Sequence, residues 1–178
     1  MSDSNEKKQT WLLLMAGHVV ENGLAGASLR PLAKAAGTSD RMLIYHFGSK
    51  DGLIDALLRC LAERFTQALD AALPPGHAPN RAACLAEITA LMRQPQAAAF
   101  AHVWLDILAE AARGTTVFQT TAAAIIEGFL DWIVGRLPED DPDPATGAAV
   151  ILAHIEGALV LTAAGRPDVA ERVENTLF

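Results

Sequence analysis

Basic side chains of the kind that contact nucleic acid are concentrated in one short segment of the chain. Residues 28–50 contain one acid, Asp40, and four basic residues: Arg30, Lys34, Arg41 and Lys50. A guanidinium can pair with both acceptors on a guanine edge, and an ammonium neutralises backbone phosphate. The chemistry that these residue types predict is therefore DNA recognition.

Small and capping residues in the same segment predict two short helices joined by a tight turn. Ser28 and Ser39 each precede a run of helical spacing, where a serine hydroxyl can accept a hydrogen bond from the first turn. Gly37 lies between the two runs, and glycine readily adopts the left-handed conformation that ends a helix. This order is typical of a helix-turn-helix, whose second helix can lie in a DNA major groove.

The segment resembles the N-terminal region of the tetracycline-repressor (TetR) family of bacterial regulators. The resemblance covers about residues 10–58 and rests on three blocks: Ser28-x-Arg30-x-Leu32-Ala33, Ala36-Gly37-x-Ser39 and Leu43-x-Tyr45-His46-Phe47-x-Ser49-Lys50-x-x-Leu53. The third block, at its fixed distance after Gly37, is the most specific of them.

The resemblance implies an all-α fold of about nine helices in two domains. A helix-turn-helix DNA-binding domain is expected at residues 1–49, and a long fourth helix joins it to an effector-binding and dimerisation domain at residues 50–178. Start and stop signals predict helices over residues 7–22, 29–36, 40–46, 50–73, 80–92, 96–113, 116–137, 145–164 and 167–177. The polar residues 1–9 are expected to fray.

The charge distribution is consistent with a small DNA-binding surface on an otherwise acidic protein. The net charge of the chain is −7. Residues 1–55 carry six basic and six acidic side chains, whereas residues 56–178 carry eight basic and fifteen acidic ones. Because acidic surface repels DNA, affinity should depend on a few well-placed contacts.

Nine positions are expected to contact DNA: Ser28, Arg30, Ser39, Asp40, Arg41, Ile44, Tyr45, His46 and Lys50. Arg41 would read bases, and Lys50 would hold phosphate at a helix N-terminus. Three of these positions have open alternatives, and the alternative for Arg41 is an ordinary surface charge. Asp40 either accepts from a cytosine amine or is an acid favoured by the helix dipole, and His46 either contacts DNA or packs at the helix end.

Ile44 departs from the family pattern. The family usually has an aromatic residue before Tyr45, commonly a tyrosine that reaches DNA, and here that residue is Ile44. Isoleucine cannot donate to phosphate, although it can contact a thymine methyl group. The operator preference therefore stays open. Leu43 and Phe47 are expected to be core residues.

The second domain is expected to bind a small, largely apolar effector. The candidate ligand-binding residues are Phe65, Phe100, Trp104, Phe118, Phe129 and His154. Aromatic residues at helical spacing also occur as ordinary core, so that alternative stays open for each of them. His154 lies among apolar residues, and its alternative is a place in a subunit contact.

Several other functions lack support in the sequence. No arrangement of a nucleophile with a base, no metal-ligand spacing and no glycine-rich phosphate loop is evident, so neither an enzyme nor a cofactor is expected. The two cysteines do not form a disulfide framework, no leader opens the chain, and charges interrupt the apolar runs. We therefore expect a cytoplasmic protein that does not enter the membrane.

These observations predict a homodimeric transcriptional regulator, most simply a repressor that an apolar effector releases from a palindromic DNA operator. Dimerisation is expected through the eighth and ninth predicted helices, whose apolar faces are too extensive for one subunit. The alternatives are a helical-bundle enzyme or lipophilic carrier, and a regulator without a small-molecule effector.

Overall fold

The computed structural model describes residues 2–24, 27–73 and 75–174, and within these residues the regular structure is entirely helical. The helices are α1 (Ser2–Asn22), α2 (Leu29–Ala35), α3 (Asp40–Phe47), α4 (Lys50–Ala72), α5 (Arg81–Met92), α6 (Pro95–Ala112), α7 (Thr116–Val134), α8 (Pro144–Ala163) and α9 (Pro167–Glu174). The predicted all-α fold is confirmed.

Glycine ends several of these helices where the sequence predicted a stop. Gly37 after α2 has φ +65°, and Gly48 after α3 has φ +83°. Both angles lie in the region that glycine alone enters without strain. Two helix limits were predicted wrongly. The first helix begins at Ser2 because the polar residues before Lys7 include no helix breaker, and α7 ends at Val134, short of residue 137.

The chain packs as two units, which we describe separately. Unit 1 comprises Met1–Gln67 and Ala98–Ile125, and unit 2 comprises Ala68–Ala97 and Ile126–Phe178. Three helices, α4, α6 and α7, contribute residues to both units. The functional domains expected at residues 1–49 and 50–178 are a different partition and stay a prediction.

Unit 1 has one continuous apolar core. Trp11, Met15 and Val19 of α1 are buried together with residues of α2, α3 and α4, and Val103 and Ile107 of α6 belong to the same core. Residues of α6 therefore share one apolar core with the helices of the helix-turn-helix and with α4.

Unit 2 combines an apolar core with charged contacts around its loops. The Arg136 guanidinium is buried, lies 3.5 Å from the centre of the Trp132 ring and donates to the Leu73 carbonyl at 2.7 Å. Asp70 Oδ1 accepts from Trp132 Nε1 at 2.9 Å. Arg136 thus caps the C-terminal end of α4, where helix carbonyls lack partners.

A second charged contact in unit 2 fixes the start of α8. Arg81 donates to both oxygens of Asp141, at 2.7 and 2.6 Å, and to the Asp143 carbonyl at 2.8 Å. The Asp143 side chain in turn accepts from the Thr146 amide at 3.2 Å. A β-carbon on Gly147 would lie 2.9 Å from Arg81 Nε, so the absence of a side chain there admits the guanidinium.

Two helices are long and apolar enough to cross a membrane by length and composition. They are Thr116–Val134 and Pro144–Ala163, and in each about a quarter of the apolar window is buried. The prediction of no membrane span did not take these two candidate helices into account. Each nevertheless has ionisable residues near its middle, Glu127 in α7 and Glu156 in α8, which are costly in hydrocarbon.

Candidate nucleic-acid interface

The helix α3 is held at its N-terminal end and on its inner side. Ser39 Oγ accepts from the Met42 amide at 3.3 Å, which confirms the predicted cap. Leu43 is fully buried in the core of unit 1, and Phe47 packs against that core, as expected. The side chains on the opposite side of α3 are therefore held in a defined orientation.

The outer side of α3 presents Arg41, Met42 and Tyr45 to solvent. Tyr45 is 78% exposed, which is unusual because the apolar ring of a tyrosine is generally buried in part. Arg41 is also exposed, and the basic candidates Arg30 and Lys50 on α2 and α4 are exposed as well. These groups can meet a ligand without any change in the packing of unit 1.

Three predicted positions on α3 are only partly accessible. Asp40, Ile44 and His46 are all half-buried. A contact between Ile44 and a thymine methyl group requires an outward-facing side chain, and Ile44 meets this requirement only in part, since it lies between the buried Leu43 and the exposed Tyr45.

His46 is held between two aromatic rings. Its ring centre lies 5.1 Å from that of Trp11 and 5.2 Å from that of Tyr45, both edge to face. This geometry favours the packed alternative for His46. It also means that the histidine helps to fix the Tyr45 ring, whose hydroxyl end remains in solvent.

The start of α4 is set closely against the end of α3. Ser49 Oγ accepts from the Gly52 amide at 2.9 Å, as expected of a cap. A β-carbon on Gly52 would lie 2.5 Å from the Phe47 carbonyl oxygen, so this close approach requires glycine. Lys50 is thereby placed in an exposed first turn, beside amides that favour an anion.

One predicted cap is wrong in part. Ser28 occupies the N-cap position of α2 with extended backbone, but its side chain makes no capping hydrogen bond. Ser28 is exposed to solvent, and its hydroxyl does not cap the helix. The sequence pattern predicted the N-cap position correctly, but the capping hydrogen bond that it predicted is not formed.

Two basic residues of α1 were missed because the first nine residues were expected to fray. Lys7 Nζ lies 5.2 Å from the centre of the Trp11 ring, and Lys8 Nζ lies 5.7 Å from that of Phe47. Trp11 contacts His46, and Phe47 ends α3. Both ammonium groups therefore lie near the C-terminal end of α3, and the Lys-Lys pair at helical spacing from Trp11 was the signal available in the sequence.

The predicted ligand-binding residues fall into both units. Phe65 and Phe100 of unit 1 have ring centres 5.7 Å apart, and Trp104 and Phe118 pack against the unit 1 core. In unit 2, Phe129 is buried beside Trp132 at 5.7 Å.

The sixth predicted ligand-binding residue, His154, is half-buried in unit 2. Its Nε2 atom is shielded from solvent and has no hydrogen-bond partner in the described part of the chain. A buried polar atom in this state is costly unless something else pairs with it.

The described residues include no group of three His, Cys, Asp or Glu side chains placed to hold a metal ion. Both cysteines are buried, and burial raises the pKa of the Cys84 thiol to about 11 and that of Cys60 above its ordinary value. Neither thiol has the low pKa of a nucleophile.

The comparisons with known proteins give a family match for the segment that forms this interface. Residues 19–57 match the family described as bacterial regulatory proteins, tetR family, and this range includes α2, the turn, α3 and the start of α4. A search of curated protein sequences found no match.

Solved structures resemble the chain over nearly its whole length. The multidrug binding protein EbrR complexed with proflavin has 22% identity and a TM-score of 0.72, with 97% of this chain and 99% of that chain covered. A TetR-family regulator from Cytophaga hutchinsonii has 19% identity and a TM-score of 0.74, with 99% and 94% covered. A transcriptional regulator from Rhodococcus sp. Rha1 has 25% identity and a TM-score of 0.63, with 94% and 91% covered.

Proposed function

We propose that the chain is a homodimeric repressor of the TetR family that binds a palindromic DNA operator and is released by a small apolar effector, because residues 19–57 match that family and solved TetR-family regulators share the fold. We place it in the cytoplasm, with no enzymatic activity and no cofactor. The observation that carries the proposal is the outer side of α3, where Arg41 and the 78% exposed Tyr45 project from a helix that the buried Leu43 anchors.

In this proposal α3 lies in the major groove. Arg41 reads a guanine edge and Tyr45 donates to phosphate or a neighbouring base. Ser28, Arg30, Ser39 and Lys50 contact the backbone, while the half-buried Asp40, Ile44 and His46 shape the edges of the contact. Lys7 and Lys8 extend the positive surface beyond the end of α3.

The candidate effector contacts are kept apart by unit: Phe65, Phe100, Trp104 and Phe118 are proposed for unit 1, and Phe129 and His154 are proposed for unit 2. The unpartnered Nε2 of His154 supports a polar anchor, because a ligand group would supply its missing hydrogen bond. Two structural neighbours, both EbrR, hold proflavin and imidazole, which supports a ligand-binding role for this fold.

Dimerisation is proposed through α8 and α9. Val160 of α8 is 53% exposed and Val173 of α9 is also exposed, although both are apolar. An interface would account for the apolar surface that makes α8 resemble a membrane span. Leu177, which we also expected in this interface, lies outside the described residues. A two-fold axis would present two α3 helices about 34–36 Å apart, one turn of DNA.

The test of DNA binding is selection of bound genomic fragments, followed by titration at several salt concentrations. We expect an enriched inverted repeat. Lys50→Ala should weaken binding to all sequences and reduce the slope of log Kd against log salt by about 0.9, whereas Arg41→Ala should change base preference. Arg59→Ala, on the exposed part of α4, is the matched control. No enriched repeat would refute the regulator proposal.

The test of the dimer is sedimentation at micromolar concentration. The wild type should sediment as a dimer, and Leu159→Asp or Val173→Asp should yield monomers that no longer hold the operator. Ala145→Asp, in the exposed first turn of α8, provides a charged control that should leave the dimer intact. A monomeric wild type would rule out this arrangement.

A further inference from the structure

The turn between α1 and α2 is held by a side chain from a distant helix. The Leu24 amide donates to Asp106 Oδ2 at 2.9 Å, across 82 positions of sequence, and the bond is partly buried. Asp106 belongs to α6, and both residues belong to unit 1. A hydrogen bond to a charged acceptor is stronger than one between neutral groups.

The backbone of the turn is shaped to meet that carboxylate. Gly23 has φ +71°, and its amide still bonds to the Val19 carbonyl, so α1 ends there and the next amide, that of Leu24, points away from the helix. A β-carbon on Gly23 would lie 3.1 Å from Asp106 Oδ2, which is tighter than ordinary contact. The glycine therefore supplies both the turn and the space for the carboxylate.

The packing around this bond makes α6 a support for the helix-turn-helix. Val103 and Ile107, on either side of Asp106, are buried in the same core as α1 and α4. The Leu24 carbonyl in turn accepts from the Ala27 amide at 2.9 Å, one residue before Ser28. A chain of hydrogen bonds thus runs from Asp106 through Leu24 to Ala27, two residues before α2 begins.

We infer that Asp106 is a positioning residue for DNA binding: its carboxylate fixes the α1–α2 turn and with it the orientation of α2 and α3. The inference rests on the proposed function. It gives α6 a hold on the helix-turn-helix that does not pass through α4, so a displacement of α6 changes the turn directly. Asp106 itself makes no contact with DNA.

The experiment compares Asp106→Ala with Asp106→Asn in the full-length protein. Alanine removes the acceptor, whereas the asparagine oxygen can still accept from the Leu24 amide. Operator affinity should fall at least about tenfold for Asp106→Ala, the effect typical of losing a hydrogen bond to a charged group, and should stay within about threefold for Asp106→Asn. Glu110→Ala, one turn along the same helix, should leave affinity unchanged.

Hydrogen exchange of the Leu24 amide provides a readout that needs no DNA. Exchange should accelerate at Leu24 in Asp106→Ala and stay slow in Asp106→Asn, while amides inside α4 keep their protection. This pattern also separates a local release of the turn from general unfolding of unit 1.

The outcomes distinguish this inference from the proposed function. If the wild type binds no DNA sequence specifically, the proposed function fails, and the inference fails with it. If the wild type binds its operator and Asp106→Ala binds equally well, only the inference is overturned. Equal losses in the alanine and asparagine variants would also overturn it, because charge rather than the bond to the turn would then matter.

Discussion

Unit 1 and unit 2 each fix the segment that follows a long helix, but they do so with different chemistry. In unit 1, Asp106 accepts a hydrogen bond from the turn after α1. The other contacts of this region belong to a continuous apolar core. In unit 2 the segment after α4 is held by Arg136, which donates to the Leu73 carbonyl and lies over the Trp132 ring. Arg81 adds three further hydrogen bonds to the loop before α8.

The difference suggests a division of mechanical roles. Apolar contacts are non-directional, so helices in unit 1 can shift slightly while their core stays buried. Bidentate and stacked guanidinium contacts have strict geometry, so the loops of unit 2 are held in one arrangement. In the proposed function, unit 1 carries the DNA contacts and its core tolerates small helix shifts, whereas the loops of unit 2 stay in one arrangement.

Among the substitutions that test this contrast between unit 1 and unit 2, Arg136→Ala is expected to lower the free energy of unfolding most. The substitution leaves the Leu73 carbonyl without its guanidinium donor and removes the ring contact, so the free energy of unfolding should fall by roughly 2–3 kcal/mol. The loss should exceed that of Asp106→Ala. Urea unfolding measures both values.

Arg166→Ala is the matched control in unit 2. Arg166 is exposed and pairs at the surface with Asp168, so its removal should change the unfolding free energy by less than about 1 kcal/mol. If Arg136→Ala is no more destabilising than this control, the charged contacts of unit 2 are not what holds its loops.

Local signals predicted the helix-turn-helix well. The roles of Gly37, Ser39 and Leu43 depend on residues only a few positions away along the chain. Their spacing was therefore sufficient to predict the helix end, the cap and the buried position. The resemblance supplied the nine-helix order. The start of α1 was missed because a polar segment without proline or glycine does not indicate where a helix begins.

Long-range contacts could not be predicted in the same way. Asp106 and Leu24 are 82 positions apart, and nothing in either local pattern indicates the other. Arg136 is buried, and no local pattern indicates this, because its partners come from the end of α4 and from the last turn of α7. The boundaries between the two units also fall inside α4, α6 and α7, each of which the sequence predicts as one continuous helix.

A smaller effect is expected from Gly147→Ala in α8. The new β-carbon would lie 2.9 Å from Arg81 Nε and 3.2 Å from Leu137 Cδ1, so the guanidinium must move away from Asp141. We expect a loss of about 1–3 kcal/mol, as for other overpacked sites. The β-carbon of Gly157→Ala, on the same helix, meets nothing within 4 Å among the residues that the structure describes. This substitution should stabilise the helix by about 0.5–1 kcal/mol, unless the proposed dimer covers the position.

The cost of Gly147→Ala should depend on pH. The hydrogen bond from Arg81 lowers the pKa of Asp141 from 3.8 to about 2, so the wild type gains stability from this carboxylate above pH 4. That gain is lost as the pH falls from about 4 to about 2 and the folded protein binds the proton. The difference in unfolding midpoint between wild type and Gly147→Ala should therefore narrow over this range. A constant difference would mean that the guanidinium keeps its place.

The smallest effects concern two helix caps, one in each unit. Asn80 Oδ1 accepts from the Ala83 amide at 2.8 Å at the start of α5, whereas Ser39 Oγ accepts from the Met42 amide at 3.3 Å at the start of α3. The shorter bond should contribute more, so Asn80→Ala should cost about 1 kcal/mol and Ser39→Ala about 0.5 kcal/mol. Thermal unfolding of the two variants measures this order.

Operator affinity should show the opposite order. Ser39 is exposed at the start of the proposed recognition helix, and its loss alters both the first turn of α3 and a proposed backbone contact, so Ser39→Ala should weaken operator binding several-fold. Asn80 belongs to unit 2, and Asn80→Ala should leave affinity unchanged while the protein is folded. If Asn80→Ala weakens DNA binding as much as Ser39→Ala does, then unit 2 is not the fixed body that its charged contacts suggest, and the contrast between the units fails.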